Sequence, residues 1–304
     1  MTQPTEIKWG LAQRFEFIEW RAYWDGRINR RDLELEFDIS TPQASIDLRE
    51  YQKTVPRNIE YSATEKTYVA TQDFRPKFLN LSPERYLLQL RALTSSSIRQ
   101  SDTWFDRVPP VDVVPDIVRG PQAYTLRAVV RAISAGSAVS INYQSLTRTG
   151  VRTILPHALG HDGYRWHVRA LSLDRVEFRD YVLGRILSIG SAPTHTSIDP
   201  ADDVEWQTKF SLRLIAYPEL DDRQKETIER EYRFKDGELA IDMRLALAFY
   251  FIKRNNLDLR KGEIPPARAQ LFLQNYEEFL HASQQAKEES KRRLAAGKYS
   301  PANQ

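Results

Sequence analysis

Arginine is the residue type best suited to ligand chemistry in this chain, and it is concentrated in one segment. Residues 120–190 contain nine arginines, no lysine and four acidic residues. A guanidinium group is planar and presents its N–H donors as a fork, which matches two oxygens of a phosphate or two acceptors on a base. The composition therefore indicates either a site for phosphates and bases or a row of solvated strand charges.

Alternation along the predicted strands brings several of these arginines together with aromatic and hydroxyl side chains. Residues two apart in a strand share a face, so His167 and Arg169 should project together, with Trp166 turned the other way into the core. Hydroxyl groups, an aromatic plane and guanidinium forks suit a phosphate and a base better than an apolar metabolite. For His157, a purely structural imidazole is the open alternative. The predicted ligand-binding face consists of Tyr143, Ser145, His157, His167, Arg169, Arg179 and Arg185.

The sequence offers little for catalysis or metal binding. Three of the five histidines, His157, His161 and His167, lie within eleven residues, but their spacing matches no common zinc pattern and the chain has no cysteine. No glycine-rich phosphate loop, dinucleotide fingerprint or nucleophile elbow occurs. We therefore expect no metal, no cofactor and no enzymatic activity. The alternative left open is a nucleotide- or nucleic-acid-processing enzyme that uses the His/Arg face.

A second group of candidate contact residues lies on a predicted helix that spans about residues 40–53. Ala44, Leu48 and Tyr51 fall on one stripe of this helix and should face the core. On the opposite side, glutamine suits an adenine edge, arginine suits guanine and an exposed isoleucine suits a thymine methyl group, whereas nearby basic residues suit phosphates. The predicted DNA contacts are Thr41, Gln43, Ser45, Ile46, Arg49, Lys53, Arg57 and Lys66.

Three short helices and a hairpin must position these DNA contacts. The signals are helical spacing over Leu11–Trp24, an Asn29 cap, a capping box over Ser40–Gln43, and strands at Ile59–Tyr61 and Thr67–Ala70. This is the element order of a winged helix-turn-helix. Residues 1–75 carry 11 basic and 13 acidic residues, which counts against tight phosphate binding by this part alone. A three-helix core used only for packing or protein contact is the alternative.

The rest of the chain predicts further domains. A helix at Tyr124–Ala135 precedes several short strands up to Ile189, which implies a tight barrel or a strongly bent sheet. After residue 205 strands and helices alternate, and a long helix follows Pro265, with a polar end at Gln284–Arg293 that we expect to fray. We predict a multidomain α+β protein with a winged helix-turn-helix at 1–75, a helical linker or dimer contact at 76–123, a ligand-sensing domain at 124–195 and a C-terminal α+β extension at 196–304.

Nothing in the sequence predicts export or a membrane partner. No run of 18 apolar residues occurs, and residues 1–9 lack the apolar stretch of a secretory signal. The absence of cysteine excludes disulfides and agrees with a reducing compartment. We expect a cytoplasmic protein.

One stretch of the predicted sheet resembles a known family motif. Tyr164–Leu171 is similar to the signature strand of WYL domains, with Trp-His-Val at 166–168 where the family has Trp-Tyr-Leu. The neighbouring family blocks follow in order and spacing at Ile141–Tyr143, Leu155–His157, Phe178–Asp180 and Gly184–Ile186. With the winged helix before and the α+β unit after, the whole chain resembles WYL transcription regulators of the BrxR/CapW type, which are repressors beside bacterial anti-phage defence operons.

The resemblance implies a homodimer that binds an inverted-repeat operator in double-stranded DNA through paired winged helices. It also implies that the WYL domain is a small Sm/SH3-like β-barrel that senses a nucleotide or nucleic-acid effector, and that the C-terminal extension (WCX-like) helps to form the dimer. His167 stands where the motif has tyrosine, so the identity of the effector does not follow from the resemblance. A nucleic-acid-responsive adaptor, with the winged helix as a protein-binding module, is the further alternative.

Overall fold

The chain folds into two separately packed parts. The computed structural model describes residues 9–117, 120–192, 198–259 and 262–296. The two units are Met1–Ile117 and Val118–Gln304. None of the helices within the described ranges combines the length and the apolar character that a membrane crossing requires.

The first unit is built from three helices followed by a hairpin. The helices are α1 (Trp9–Asp25), α2 (Arg30–Phe37) and α3 (Thr41–Thr54). The hairpin, called the wing below, consists of β2 (Ile59–Ser62) and β3 (Thr67–Ala70), and a two-residue strand β1 (Arg27–Ile28) pairs with β3, so the sheet order is β1-β3-β2. The sequence does not predict β1, because two residues are too few to carry an alternating pattern.

The helix starts of this unit follow the predicted caps, with one correction. The Asn29 side chain accepts from the backbone N–H of Asp32, and the Asp32 carboxylate accepts from that of Asn29, so the capping box at α2 is complete. At α3 the Ser40 hydroxyl accepts from the backbone N–H of Gln43, as predicted. The reciprocal bond does not form, because the Gln43 amide donates to Asp47 one turn further on. The predicted capping box at α3 is therefore only half present.

The core of the first unit contains the predicted stripe of α3. Ala44, Leu48 and Tyr51 are fully buried and pack against apolar side chains of α1, α2 and the wing. A later helix, α4 (Pro83–Thr94), packs in the same unit through a cluster that includes Trp20 and Leu90. A dimer or lever role for α4 stays a prediction.

The second unit begins with a helix and a five-stranded antiparallel sheet. Helix α5 (Ala123–Ala135) ends at Gly136, whose φ of 58° is the left-handed conformation that glycine adopts without strain. The strands are β4 (Val139–Gln144), β5 (Thr149–His161), β6 (Trp166–Ser172), β7 (Glu177–Val182) and β8 (Ile186–Ser191). The sheet order is β7-β6-β5-β4-β8, with a single 3₁₀ turn (Leu183–Arg185) between β7 and β8. A meander whose last strand returns to pair with its first is a small, partly open barrel, as predicted.

The C-terminal part of the second unit surrounds a three-stranded sheet. Its elements in chain order are α6 (Val204–Gln207), β9 (Lys209–Ala216), α7 (Asp222–Glu231), β10 (Leu239–Arg244), α8 (Leu245–Arg254), α9 (Pro266–Ala269), β11 (Leu271–Leu273) and α10 (Tyr276–Ala296). The sheet order is β10-β9-β11. The core of this part is formed by Leu212, Leu214 and the apolar faces of α8 and α10.

Two expectations about the C-terminal helix are wrong. The region after Pro265 is not one helix, because the short strand β11 pairs with β9 and separates α9 from α10. The polar end of α10 does not fray within the described residues. Ser290 accepts a hydrogen bond from the backbone N–H of Val204, and Leu294 is buried among apolar residues of the barrel.

Candidate nucleic-acid interface and effector cleft

The exposed side of α3 carries most of the predicted DNA contacts. Thr41, Ile46, Arg49 and Lys53 are exposed, and Ile46 has 46% of its surface in solvent. Gln43 and Ser45 are half-buried at the margin of this face and belong to the predicted set. The face therefore presents an apolar side chain near the start of the helix and two cations, with Glu50 beside them, towards its end.

Gln43 is less free than the sequence suggests. Its Nε2 donates to Oδ1 of Asp47 at 2.8 Å, and Asp47 is buried. The other carboxylate oxygen of Asp47 lies 2.6 Å from Nε of Arg14, on α1. This contact fixes the side chain of Gln43 and leaves fewer of its hydrogen-bonding groups for a base.

The wing brings Lys66 close to α3. Lys66 lies in the β2–β3 turn with a φ of 52°, and Arg57 is exposed just before β2. A groove of about 410 Å³ lies between α3, the wing and the start of α2, and it is lined by Asn29, Arg30, Ser45, Arg49, Tyr61, Lys66 and Tyr68. Ser45, Arg49 and Lys66 belong to the predicted set, whereas the other four lining residues were missed. Tyr61 and Tyr68 pair across the hairpin, so they could have been predicted as neighbours if its register had been known from the sequence.

A buried polar network holds α3 against the rest of the first unit. The Glu19 carboxylate accepts from the backbone N–H groups of residues 77–79 at 2.6–3.0 Å, and the Tyr51 hydroxyl donates to it at 3.0 Å. Asn58, at the base of the wing, donates to the same hydroxyl at 2.9 Å. Burial is the main cause that raises the pKa of Tyr51 above its ordinary value, so the hydroxyl keeps its proton. The network ties α1, α3 and the wing together.

The second unit contains a cleft of about 920 Å³ between the barrel and the C-terminal helices. Its lining is rich in cations, which are Arg148, Arg152, Arg169, Arg175, Arg179 and Lys287. Two carboxylates, Asp180 and Glu205, also line it. The excess of positive charge suits an anionic ligand.

Four of the seven predicted ligand residues line this cleft and three do not. Tyr143, Ser145, Arg169 and Arg179 are part of the lining, whereas His157, His167 and Arg185 are not. Of the arginines in the lining, the exposed ones are Arg148, Arg175 and Arg179. The sequence prediction missed the contributions of α8 and α10, because contacts so distant in the chain leave no local pattern.

The prediction that these residues share one sheet face is wrong. Arg169 pairs in register with Asp180, so these two side chains share a face and Arg179 lies on the opposite one. Tyr143 packs against Tyr181 on the inner side of the barrel, with ring centroids 5.2 Å apart. Alternation fixes faces within one strand only, and the register between strands is not readable from spacing. The cleft reaches both faces because β7 is an edge strand.

Trp166 is also misplaced by the sequence prediction. It is 48% exposed and packs beside His161, with ring centroids 4.8 Å apart. Its position at the first residue of β6 puts it beyond the packed interior of the barrel.

Arg169 is buried at the floor of the cleft and saturated with carboxylates. Its Nε lies 2.7 Å from Oδ2 of Asp203, and its Nη2 lies 2.9 Å from Oδ1 of Asp203 and 3.0 Å from Oε2 of Glu205. Its Nη1 is 3.4 Å from Asp180. Burial alone lowers the pKa of Arg169, but the hydrogen bond to Asp203 and the three negative charges raise it above its ordinary value. The cation is therefore permanently charged and internally paired.

The partners of Arg169 extend the network into the C-terminal helices. Glu205 also accepts from Ser283 at 2.8 Å and lies 3.5 Å from Nζ of Lys287, both on α10. The Tyr250 hydroxyl, on α8, donates to Asp180 at 2.9 Å. The floor of the cleft thus connects the barrel to α6, α8 and α10.

The two predicted histidine ligands have structural partners. Nε2 of His157 lies 2.9 Å from Oδ2 of Asp203, and Nε2 of His167 lies 2.8 Å from Oδ2 of Asp162. Burial raises the pKa of Asp162, but hydrogen bonds from His167 and from the backbone N–H groups of Tyr164 and Arg165 outweigh it and hold that pKa below its ordinary value. Within the described part of the chain, no three histidine, aspartate or glutamate side chains form a metal-binding group.

Comparisons with known proteins match all three parts of the chain. The model of the BrxR transcriptional regulator winged helix-turn-helix domain matches residues 10–92, that of the WYL domain matches 124–190, and that of the BrxR transcriptional regulator C-terminal dimerization domain matches 209–279. The DNA-binding transcriptional repressor CapW of Escherichia coli (strain KTE188) is 38% identical over 274 residues, which cover 89% of this chain and 91% of CapW. This chain belongs to the BrxR/CapW family of transcriptional regulators.

Other CapW relatives extend the match across species. The Stenotrophomonas maltophilia repressor is 33% identical over 276 residues (90% of this chain, 92% of the relative). The Pseudomonas aeruginosa repressor is 36% identical over 284 residues (91% of this chain, 94% of the relative). Among solved structures, the proteasome accessory factor B/C of Arthrobacter aurescens aligns over 90% of this chain and 45% of its own, at 16% identity and a TM-score of 0.29, which is too low for any conclusion.

The family assignment confirms the predicted fold class of winged helix, WYL domain and C-terminal α+β unit. The matched domains are those of a BrxR/CapW regulator, in agreement with the prediction that the chain is not an enzyme.

Proposed function

We propose that this chain is a cytoplasmic, homodimeric DNA-binding repressor of an anti-phage defence operon. The observation that carries the proposal is the exposed side of α3. Ile46 is exposed one turn before Arg49 and two turns before Lys53, while the opposite stripe of the helix is fully buried. An exposed apolar side chain followed by two cations on a packed helix fits a major groove, where it would meet a thymine methyl group. The names of the CapW relatives support the same activity.

In the proposed mechanism, two copies of the chain bind the two halves of an inverted-repeat operator. Their α3 helices enter successive major grooves about 34 Å apart, and the wings contact the flanking backbone. Residues 1–75 contain 11 basic and 13 acidic residues, so one copy would bind weakly. Two linked copies double the phosphate contacts, which is why the dimer is part of the proposal. The bound dimer would exclude polymerase from the promoter.

The proposed effector is a nucleotide or a nucleic acid that binds in the cleft of the second unit. The exposed arginines that line the cleft, called the rim below, would bind its phosphates (Arg148, Arg175 and Arg179). The Tyr143 hydroxyl accepts from the backbone N–H of Val182 and can still donate to a ligand, whereas the Ser145 hydroxyl already donates to the carbonyl oxygen of Arg148. Arg169 would shape the floor of the cleft and not contact the effector, because its donors are taken by Asp203, Glu205 and Asp180. We leave His157, His167 and Arg185 outside the proposed contact set, because they do not line the cleft.

The test of DNA binding uses the full-length protein and the DNA upstream of its own gene. Fluorescence anisotropy would compare a duplex that carries the inverted repeat with a scrambled duplex of equal length, over a series of salt concentrations. We expect preferential binding to the repeat and a steep loss of affinity with salt, because binding releases counterions from the phosphates. Equal, weak binding to both duplexes at low salt would contradict the proposal.

The test of effector binding uses an exposed rim residue and a matched control. Arg179 is 45% exposed at its side chain, and Arg131 is an exposed arginine on α5 outside the cleft. With a nucleoside triphosphate and a short single-stranded oligonucleotide as probes, Arg179→Ala should weaken probe binding about 3- to 10-fold, since a hydrogen bond to a charged group contributes about 1 kcal/mol or more. Arg131→Ala should bind as the unmodified protein does. Equal affinities for both variants would argue against this cleft as the effector site.

A further inference from the structure

The groove between α3 and the wing has a local charge that differs from the unit around it. Arg30, Arg49 and Lys66 line its volume of about 410 Å³, and no acidic side chain does. Residues 1–75 as a whole carry more acids than bases. Three cations from three different elements therefore converge on one space, in a unit that otherwise has no positive excess. Such convergence suits a polyanion better than the edge of a single base.

The three cations are free to bind a ligand. In the part of the chain that the structure describes, none of them forms an ion pair. Arg49 donates its Nε to the carbonyl oxygen of Ser45 at 3.1 Å, one turn earlier in α3. This bond occupies one side of the guanidinium and leaves the terminal nitrogens for the groove. The terminal nitrogens can form a fork to a phosphate or to a guanine, and the two further cations that line the same groove favour the phosphate.

Two tyrosines complete the groove. Tyr61 and Tyr68 are directly opposite each other across the wing, with ring centroids 5.2 Å apart. Tyr61 is 57% exposed, so its ring and hydroxyl are accessible to a ligand in the groove. Each ring offers an apolar surface for a sugar and a hydroxyl that can donate to a phosphate oxygen.

We infer that this groove holds one backbone phosphate of the bound DNA with its flanking sugars, and that Arg49 contacts this phosphate and does not read a guanine. Arg30, Arg49 and Lys66 supply the charge, and Tyr61 and Tyr68 pack against the sugars. The inference rests on the proposed DNA-binding function. It assigns a role in sequence-independent affinity to Arg30, Tyr61 and Tyr68, and it leaves base recognition to the rest of the exposed face of α3.

The test measures affinity for the operator duplex and for a scrambled duplex over a salt series, with the full-length dimer. One neutralised phosphate contributes about 0.9 to the slope of log affinity against log salt, which is about eightfold in affinity near 0.1 M salt. Because three cations share this phosphate, Arg49→Ala and Lys66→Ala should each lower the slope by less than about 0.9, and the double variant R49A/K66A should lower it by more than either single change. Both duplexes should lose the same factor, so that the preference for the operator is unchanged. The double variant Y61F/Y68F should weaken both duplexes by about 2- to 5-fold per hydroxyl without a change in slope.

Matched controls separate the groove from general surface effects. Arg131→Ala removes an exposed arginine of α5, in the second unit, and Tyr23→Phe removes an exposed tyrosine hydroxyl of α1. Neither residue lines the groove, so neither change should alter binding. Thermal melts by circular dichroism would verify that every variant is folded.

The outcomes distinguish this inference from the proposed function. If the unmodified protein binds the operator no better than the scrambled duplex, the proposed function fails. If it prefers the operator and Arg49→Ala abolishes that preference while scrambled binding is retained, Arg49 is a base reader and the groove inference alone is wrong. An unchanged salt slope in both Arg49→Ala and Lys66→Ala would also overturn it.

Discussion

At the scale of single residues, the chemistry of the second unit centres on Arg169. A buried cation must recover its lost hydration from neighbouring groups, and here Asp203, Glu205 and Asp180 supply it. Asp180 comes from β7, whereas Asp203 and Glu205 come from the N-cap and the first turn of α6. Arg169 therefore fixes the floor of the cleft, and the proposed effector would meet the more exposed cations around it first.

Removing the guanidinium should destabilise the protein strongly. Arg169→Ala leaves Asp203 and Glu205 buried without their main partner, and breaking such a pair costs about 3–5 kcal/mol. Arg179→Ala is the matched control, because its ion pair with Glu177 is half exposed and should change stability by less than about 0.5 kcal/mol. Urea unfolding followed by circular dichroism measures both. Equal unfolding midpoints would mean that Arg169 is not a structural hub.

The pairing of Asp162 with His167 predicts a dependence of stability on pH. The folded state holds the pKa of Asp162 below its ordinary value of 3.8, so folding is favoured by the ionised carboxylate above that pH. As the pH falls from 3.8 towards the folded pKa, the unfolded chain takes up the proton first and this stability is lost. The free energy of unfolding should fall by up to about 1.4 kcal/mol per pH unit from this group, and Asp162→Asn should remove that contribution. If the unfolding free energy of Asp162→Asn depends on pH in acid as steeply as that of the unmodified protein, Asp162 is not the group responsible.

At the scale of elements, the first unit is organised so that α3 cannot shift independently of the wing. The Glu19 carboxylate, on α1, accepts from backbone N–H groups of the segment after the wing. The Tyr51 hydroxyl connects Glu19 to α3, and Asn58 connects that hydroxyl to the start of β2. This matters for the proposed function, since Arg49 on α3 and Lys66 on the wing must keep their spacing to share one groove.

Tyr51→Phe tests this link. The change leaves Glu19 and Asn58 without their buried hydroxyl partner, which should cost about 1–3 kcal/mol of stability. Because Tyr51 is fully buried, the change can affect DNA binding only by shifting α3 relative to the wing. We expect this shift to lower the salt slope of DNA binding, since Arg49 and Lys66 would no longer be held at the spacing that the groove requires. Tyr23→Phe, at an exposed tyrosine, provides the control for both measurements. An unchanged salt slope in a destabilised Tyr51→Phe variant would show that this spacing does not depend on the hydroxyl.

Features that depend on residues close together in the sequence are predicted correctly, whereas features that depend on contacts between distant parts of the chain are not. The Asn29 cap, the buried stripe of α3 and the Gly136 end of α5 each depend on neighbours within one or two turns, and all are confirmed. The face shared by Arg169 with Asp180, and not with Arg179, depends on strand register, which spacing does not encode. Asp203 and Glu205 lie more than 30 residues from Arg169 and were identified only through the fold.

At the scale of the whole molecule, the proposed function depends on two copies that act together. The family model of a C-terminal dimerization domain matches residues 209–279, in the second unit, whereas the proposed DNA contacts all lie in the first. If the dimer reads an inverted repeat, affinity must depend on the distance between the half-sites and on their angle around the duplex. A monomer that binds a single half-site has no such dependence.

The spacing of half-sites is therefore the decisive test of paired binding. Inserting about 5 base pairs between the halves of the operator turns one of them to the opposite side of the duplex, and inserting about 10 restores the side. We expect the 5-base-pair insertion to reduce affinity to that of a duplex with one half-site, because only one α3 can then reach its groove. The 10-base-pair insertion keeps both half-sites on the same side of the duplex but moves them further apart. Affinity for this duplex therefore also measures how far apart the two winged helices of a dimer can bind. If both insertions leave anisotropy titrations with the full-length protein unchanged, each copy binds alone, and the paired mechanism is wrong even though the chain binds DNA.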